Sequence, residues 1–205
     1  MATTVPTRSS LSLKGSAKLV SEFFEYAVNS ILFQRGIYPP EDFKVVRKYG
    51  INMLITIDDE VKAYIRRIIA QLHRWMYRGK IQKLVVVITD KDTGDDLERW
   101  QFNVEILCKN EDSIGEESKE AKPEKEIQNE IQALIRQVTA TITFLPQLDT
   151  RCTFNVLVYA DKDSEVPTDW VDSDPRQLQN AEQVQLRSFS TNMHKIDCQV
   201  AYRMN

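Results

Sequence analysis

With six glycines, two histidines and three cysteines in 205 residues, the chain lacks the raw material for several kinds of chemistry. Glycine this sparse builds no phosphate-cradling loop, which needs clustered glycines at the head of a helix. Cys108, Cys152 and Cys198 are odd in number and far apart. They make neither a disulfide framework nor a zinc site, and they fit a reducing compartment. His73 falls beside Arg74 on a helix rim. His194 and Cys198 lie i, i+4 on a strand, about 13 Å apart along it, which is too far for a thiol–imidazole dyad. The DKD and GDD clusters read as solvated turn carboxylates, since no third ligand converges on them. No apolar run approaches the roughly 20 residues needed to span a bilayer. The first residues, MATTVPTRSSLSLKGSAK, lack the apolar centre of a secretory signal. They carry no acid before Glu22, a composition shared by transit peptides and by short disordered arms; the arm is the reading taken. A net charge of -3 argues against holding nucleic acid by bulk charge. Catalysis is left without a candidate centre.

What is present alternates between helical and extended patterns. From Ser16 to Arg35, Leu19/Val20, Phe23/Phe24, Ala27/Val28 and Ile31/Leu32 form a broad stripe of period 3.6. Gly36 and Pro39-Pro40 end this predicted helix. Ile51 to Ile57 alternates as a short strand. Asp58 is an N-cap, with Asp59 and Glu60 set against the helix dipole, for a second helix through Val61, Ile65, Ile68/Ile69, Leu72 and Trp75/Met76 to Gly79. IQKLVVVITD predicts a strand apolar on both faces and therefore central. LERWQFNVEIL, alternating Trp100, Phe102, Val104 and Ile106 with polar residues, predicts its hairpin partner at a sheet edge. Residues 109–123 read as a disordered acidic loop. A third helix, Glu124 to about Thr143, carries Ile127, Ile131, Leu134/Ile135, Val138 and Ile142. TRCTFNVLVYADKD predicts another strand buried on much of both faces. The extended segment from Asp161 to Glu182 follows, with seven acids, two bases, Pro167 and Pro175. Unstructured loops of that length in compact domains are often functional.

The tail VQLRSFSTNMHKIDCQVAYR changes phase twice: Val184 and Leu186 are even, Phe189, Thr191 and Met193 odd, and Ile196, Cys198, Val200 and Tyr202 even again. A bulge near Ser188 and a turn around His194 and Lys195 account for the breaks and give a hairpin of two unequal strands. No Asn-Gly or Asp-Gly pins that turn. The long tether allows the hairpin to pair with one sheet edge or another.

On the second helix Lys62, Arg66, Arg74 and Arg78 share one line, with Arg67, Lys80 and Lys83 nearby. A solvated face explains them; an acidic partner, including the chain's own Asp161–Glu182 segment, is the second reading. Nucleic-acid binding would need more aromatic platforms than Tyr77. Arg136, Gln137 and Phe144 read either as a capped helix end or as an interaction surface.

The blocks GSAKLVSEFFEYAVNSILFQRGIYP, KLVVVITD, LERWQF, IRQVTATITFLPQL, FNVLVYADKD, VPTDW and LRSFSTNMHKI, in this order, resemble the HORMA-domain family in its spindle-checkpoint, mitotic arrest-deficient branch, in a fungal wording. The likeness spans residues 11–203; the acidic insert near 110–122 and the first ten residues depart from it. The resemblance implies an α+β HORMA domain over 11–205, three helices on a central antiparallel sheet, after a flexible arm at 1–10. It implies no enzymatic activity and no cofactor or metal. It further implies two folded states. In the open one the tail hairpin covers the strand Thr150–Ala160; in the closed one it crosses to the edge near Leu97–Leu107. A partner peptide then adds as a strand beside Phe154, Asn155, Val156, Leu157, Val158 and Tyr159. The tail, residues 161–205, closes over it as a safety belt through Asp161, Pro167, Trp170, Phe189 and His194.

Arg136, Gln137, Phe144 and Arg187 match the surface through which a closed copy pairs with an open one. Trp75 matches a core position near the tail's closed docking site. The implied partners are a kinetochore coiled-coil adaptor, the activator of the anaphase-promoting complex, other checkpoint complex subunits and a second copy of the chain, without membrane or direct nucleic-acid contact. The implied locations are the nucleus, unattached kinetochores, the nuclear envelope and the cytoplasm. The alternative is another HORMA-type scaffold, in DNA repair or the meiotic chromosome axis.

Overall fold

Three helices lie against one face of a five-stranded antiparallel sheet in the computed structural model, which describes residues 8–107 and 122–204. Cys108 and the expected acidic loop, apart from its last two residues, lie outside the described residues, as does the start of the expected N-terminal arm. Helix α1, Arg8–Gln34, begins eight residues before Ser16, so its first turn falls inside the segment expected to be an arm; after Pro6 the sequence holds no residue that stops a helix. Its far end closes as predicted. Gly36, at φ 62°, sends its N–H to Phe33 and lets Ile37 N–H reach the Leu32 carbonyl, the double bond of a Schellman cap. Helix α2, Asp59–Tyr77, starts at the Asp58 cap, whose carboxylate accepts from Val61 N, and stops at Gly79.

Between α1 and α2 the structure adds a strand that the sequence did not announce. Strand β1, Phe43–Lys48, pairs with β2, Ile51–Thr56, through Tyr49 and Gly50 at φ 50° and 73°, a turn of the type I′ class. Strand β3 is Ile81–Asp90, β4 is Asp96–Ile106 and helix α3 is Glu124–Ala140, followed by a 3₁₀ turn over Thr141–Thr143 where a continuous helix was expected. Strand β5, Cys152–Ala160, and the tail strands β6, Ala181–Ser190, and β7, His194–Arg203, complete the chain in the sheet order β5-β3-β4-β7-β6.

Three expectations change here. Strand β4 is the middle strand, because β7 pairs with its far side from Glu98↔Tyr202 to Ile106↔His194. Its polar alternation marks a polar sheet face, not an edge: Arg99, Gln101 and Asn103 hydrogen-bond one another along the strand. Strand β5 is the sheet edge that the family likeness implies, but it is not buried on much of both faces: only Cys152 and Phe154 on it are buried. In the tail, the bulge near Ser188 is present, with Leu186 and Arg187 inserted between the Gln185 and Ser188 pairings. The turn, however, is Thr191–Met193, and the two strands are equally long. His194 already belongs to β7: Thr191 Oγ1 accepts from the N–H groups of Met193 and His194, which tightens the turn ahead of it.

The core lies between α1 and the sheet. Phe23 meets Phe102 and Phe189, at 5.9 and 4.7 Å between ring centres, and Phe24 meets Phe102 at 5.7 Å, all with edge-on geometry. Phe189 thus joins the tail to α1, a contact that aromatic pairs favour beyond plain burial. One charge pair sits in this apolar layer. Arg35, at the end of α1, grips Glu98 on β4 with both side chains almost wholly buried, and Trp100 Nε1 donates to the same carboxylate at 3.2 Å. Burial pushes the Glu98 carboxyl up, against the pull of Arg35 and Trp100. Removing one partner strands the other charge in the core. Arg35→Ala is expected to cost about 3–5 kcal/mol in urea unfolding, whereas the paired apolar replacement Arg35→Met with Glu98→Leu should stay within about 1–2 kcal/mol of the parent.

Candidate functional site

Strand β5 has one neighbour, β3, and its other side faces a channel. The Val156 N–H points into that channel, toward the Tyr64 hydroxyl of α2 at 3.3 Å. By the alternation of an antiparallel ladder the N–H groups of Phe154 and Val158 point the same way. Phe154, Val156 and Val158 turn their side chains to the helices, and Asn155, Leu157 and Tyr159 turn theirs to the opposite face.

The segment 161–180 roofs this edge. It leaves β5 beside Lys80, whose carbonyl accepts from Asp161 N, and Gln82 bonds the Asp161 carboxylate at 3.0 Å. Ion pairs Lys80–Asp163 at 2.5 Å and Arg78–Glu165 at 2.9 Å hold it to the end of α2. The Lys80 partner draws the Asp163 carboxyl below its usual range. Trp75, buried in α2, donates from Nε1 to the Glu165 carbonyl at 3.1 Å and meets the Trp170 ring edge-on at 5.1 Å. Two adjoining cavities, of ≈ 320 and ≈ 330 Å³, remain between roof and edge. Both are lined by Val156 and Leu157 below and by Trp170 and Val171 above; Tyr64, Arg67 and Ile68 close one end.

Val156 to Tyr159 therefore come together with Asp161, Trp170 and Trp75, flanked by Phe154 and Asn155, while Pro167 lies on the α2 side of Trp75. The other two expected belt residues do not join them. Phe189 packs under α1, and His194 lies at the far side of the sheet, fully buried, because the tail pairs with β4 and carries both away from β5. His194 Nδ1 meets Ser16 Oγ of α1 at 2.6 Å, and Ser16 meets Thr191 Oγ1 at 2.5 Å. Nε2 has no hydrogen-bond partner among the described residues. Desolvation pulls the imidazole below its ordinary value, with only a weak opposing influence from the Met76 carbonyl. Cys198, deeper in the same strand, has its thiol pushed up by burial, the reverse of an activated nucleophile.

A second surface gathers at the end of α3. Arg136 is exposed, Gln137 Oε1 accepts from the Arg187 N–H that the β6 bulge leaves free, at 2.6 Å, and Phe144 stands half exposed beside Tyr202. Glu130 takes the Ser190 N–H at 3.0 Å in the same manner. Helix α3 thus binds the tail strand through backbone N–H groups of that strand. On the basic stripe, Lys62 pairs with Asp59 and Arg78 with the roof, while Arg66, Arg67 and Arg74 remain exposed. Sequence reasoning missed Tyr64, whose only signal is that it shares a helix face with Val61 and Ile68, and it missed Asp96 and Arg176, treated below.

Comparison with known proteins agrees with this architecture. A family model described as the HORMA domain matches residues 16–194. The chain is 72% identical over 203 residues to the mitotic spindle checkpoint component mad2 of Schizosaccharomyces pombe, covering 98% of each, and 46% identical to the human mitotic spindle assembly checkpoint protein MAD2A, covering 100% of this chain and 98% of the other. A chain in a crystal structure of the mitotic checkpoint complex superposes with a TM-score of 0.84 at 73% identity, over 93% of this chain and 99% of that one. Caenorhabditis elegans HTP-1 bound to the HIM-3 closure motif shares the fold alone, with a TM-score of 0.74 at 13% identity over 91% and 89%. The fold is that of a HORMA-domain protein, and the chain belongs to the mitotic spindle checkpoint branch of that family.

Burial of His194 ties the stability of the fold to pH. Its folded value lies below the ordinary one of about 6.5, so an exposed histidine binds a proton first as pH falls, and acid favours any state that releases it. Thermal unfolding followed from pH 7.5 to 5.5 should show stability falling with pH, and His194→Gln should flatten that part of the profile.

Proposed function

We propose that this chain is a spindle checkpoint protein that works as a conformational switch, capturing an extended peptide on the β5 edge under the 161–180 segment and thereby delaying anaphase. The observation that carries the reading is the bare edge of β5, backed by the Val156 N–H and roofed by Trp170, while β7 occupies the far side of β4. Backbone pairing would supply much of the attraction, and the pockets beside Leu157 and Tyr64 would choose side chains. The roof is held by Trp75, Arg78 and Lys80, so a bound strand leaves only when that segment moves, and release is slow for an interface of modest size.

The ligands we assign are segments of a kinetochore coiled-coil adaptor and of the anaphase-promoting complex activator, acting with other checkpoint subunits in the nucleus, at unattached kinetochores and the nuclear envelope, and in the cytoplasm. The exposed Arg136 and Phe144, with Gln137 held by the Arg187 N–H, support a surface that pairs this state with a copy whose tail lies elsewhere. Binding, not catalysis, is the mode of action: the His194 and Cys198 side chains are both sealed in the core.

Two measurements test the reading. Deleting β7, residues 194–205, should weaken binding of a fluorescein-labelled adaptor segment by more than about a hundredfold, ~2.7 kcal/mol, in anisotropy titrations; unchanged, slow-release binding would sink the mechanism. Arg136→Glu should leave peptide affinity and melting temperature within about twofold and 2 °C of the parent, and should abolish self-association in sedimentation velocity, as charge reversal at an interface anchor does.

A further inference from the structure

Beyond Lys162, the acidic roof segment contains a single base, Arg176, and its side chain does not point to solvent. The guanidinium forks onto the Asp96 carboxylate at the start of β4, with Nε donating to Oδ2 at 2.9 Å and Nη2 to Oδ1, and it also reaches Thr89 Oγ1 of β3 at 3.2 Å. Thr89 in turn donates to Asp96 at 2.8 Å, which fixes the carboxylate. The Asn155 carboxamide, turned so that its oxygen faces the guanidinium, accepts from Nη1 at 3.2 Å. One residue of the roof is thereby tied to β3, β4 and β5 together. Next to it, the Tyr159 hydroxyl donates to the Pro175 carbonyl at 3.2 Å. The backbone of Arg176 sits at φ 48°, a region disfavoured for any residue with a Cβ, so the fork holds a conformation that the free segment would leave.

The ion pairs of Asp163 and Glu165 and the Trp170 ring contact lie in the first half of the roof, against Lys80 and the end of α2, while the Tyr159–Pro175 hydrogen bond lies in the second half beside Arg176. Arg176 fastens the second half, just before the segment runs on to β6. We propose that Arg176 and Asp96 form the latch of the roof, the pair whose rupture sets how fast a captured strand is released. This rests on the peptide-capture reading. A bidentate, partly buried guanidinium–carboxylate contact acts chiefly on dissociation.

The test uses the full chain and has two readouts. The first is the dissociation rate of a fluorescein-labelled adaptor segment chased with unlabelled peptide; the second is hydrogen exchange of amides 162–180 in the free protein. Arg176→Gln and Asp96→Asn are each expected to raise the dissociation rate about tenfold. Both should also speed exchange across the second half of the roof and leave the melting temperature near the parent value. Arg176→Lys should fall between, and Arg176→Asp with Asp96→Arg should restore slow release. Parent rates and parent exchange in Arg176→Gln would overturn the latch, as would a loss of melting temperature in all variants with no rescue by the reversed pair. If the parent binds no adaptor segment while exchange responds as expected, the latch stands and the assigned ligand fails.

Discussion

The pairing of β7 with β4 governs everything else in this molecule. A strand inserted beside the middle of the sheet draws the end of the chain to one side and leaves β5, at the other side, with no second strand among the described residues and with Tyr64 alone meeting its outer Val156 N–H. Since β5 ends at Ala160 and β6 begins at Ala181, the intervening segment must travel the width of the sheet, four strand spacings or about 19 Å. The roof follows from that geometry alone. Its chemistry then decides how firmly it lies down: acids toward the basic end of α2, Trp170 toward Trp75, and Arg176 toward the β3–β4 loop.

The tail is held in place by two unlike kinds of interaction around its turn. Phe189 commits apolar surface to α1, which favours this placement broadly, whereas Gln137, Glu130 and Ser16 recognise particular backbone and imidazole atoms. Apolar contact alone would tolerate a slip by two residues. The polar clamps do not, because the bulge at Leu186 and Arg187 presents one free N–H to one glutamine. Register is thus fixed where the sequence of the turn itself does not fix it.

Most of the scaffold was legible in the sequence, for reasons that can be named. The caps at Asp58, Gly36 and Gly79 act locally, so they are visible without tertiary context, and the phase break near Ser188 is a plain consequence of period two. The failures share a cause. Glu98, Gln101, Asn103 and Glu105 looked like an exposed edge because alternation reports which face is polar and is silent about neighbours along the hydrogen-bonding direction. The run Phe154–Tyr159 looked doubly buried because its apolar residues face a channel as well as a core. His194 looked like a turn residue, since a buried imidazole satisfied by Ser16, 178 positions away, leaves no local trace. Asp96 and Arg176 were hidden in the same way: each reads as one more charge in a polar loop until the fold sets them side by side. The pairing site itself and its second surface came from family likeness, not from patterning.

The roof also has a mechanical meaning. Its two ends continue into β5 and β6, strands of one sheet, so a chain lying in the channel would be encircled by covalent backbone and would pass out only when the roof lifts or the β4–β7 ladder parts.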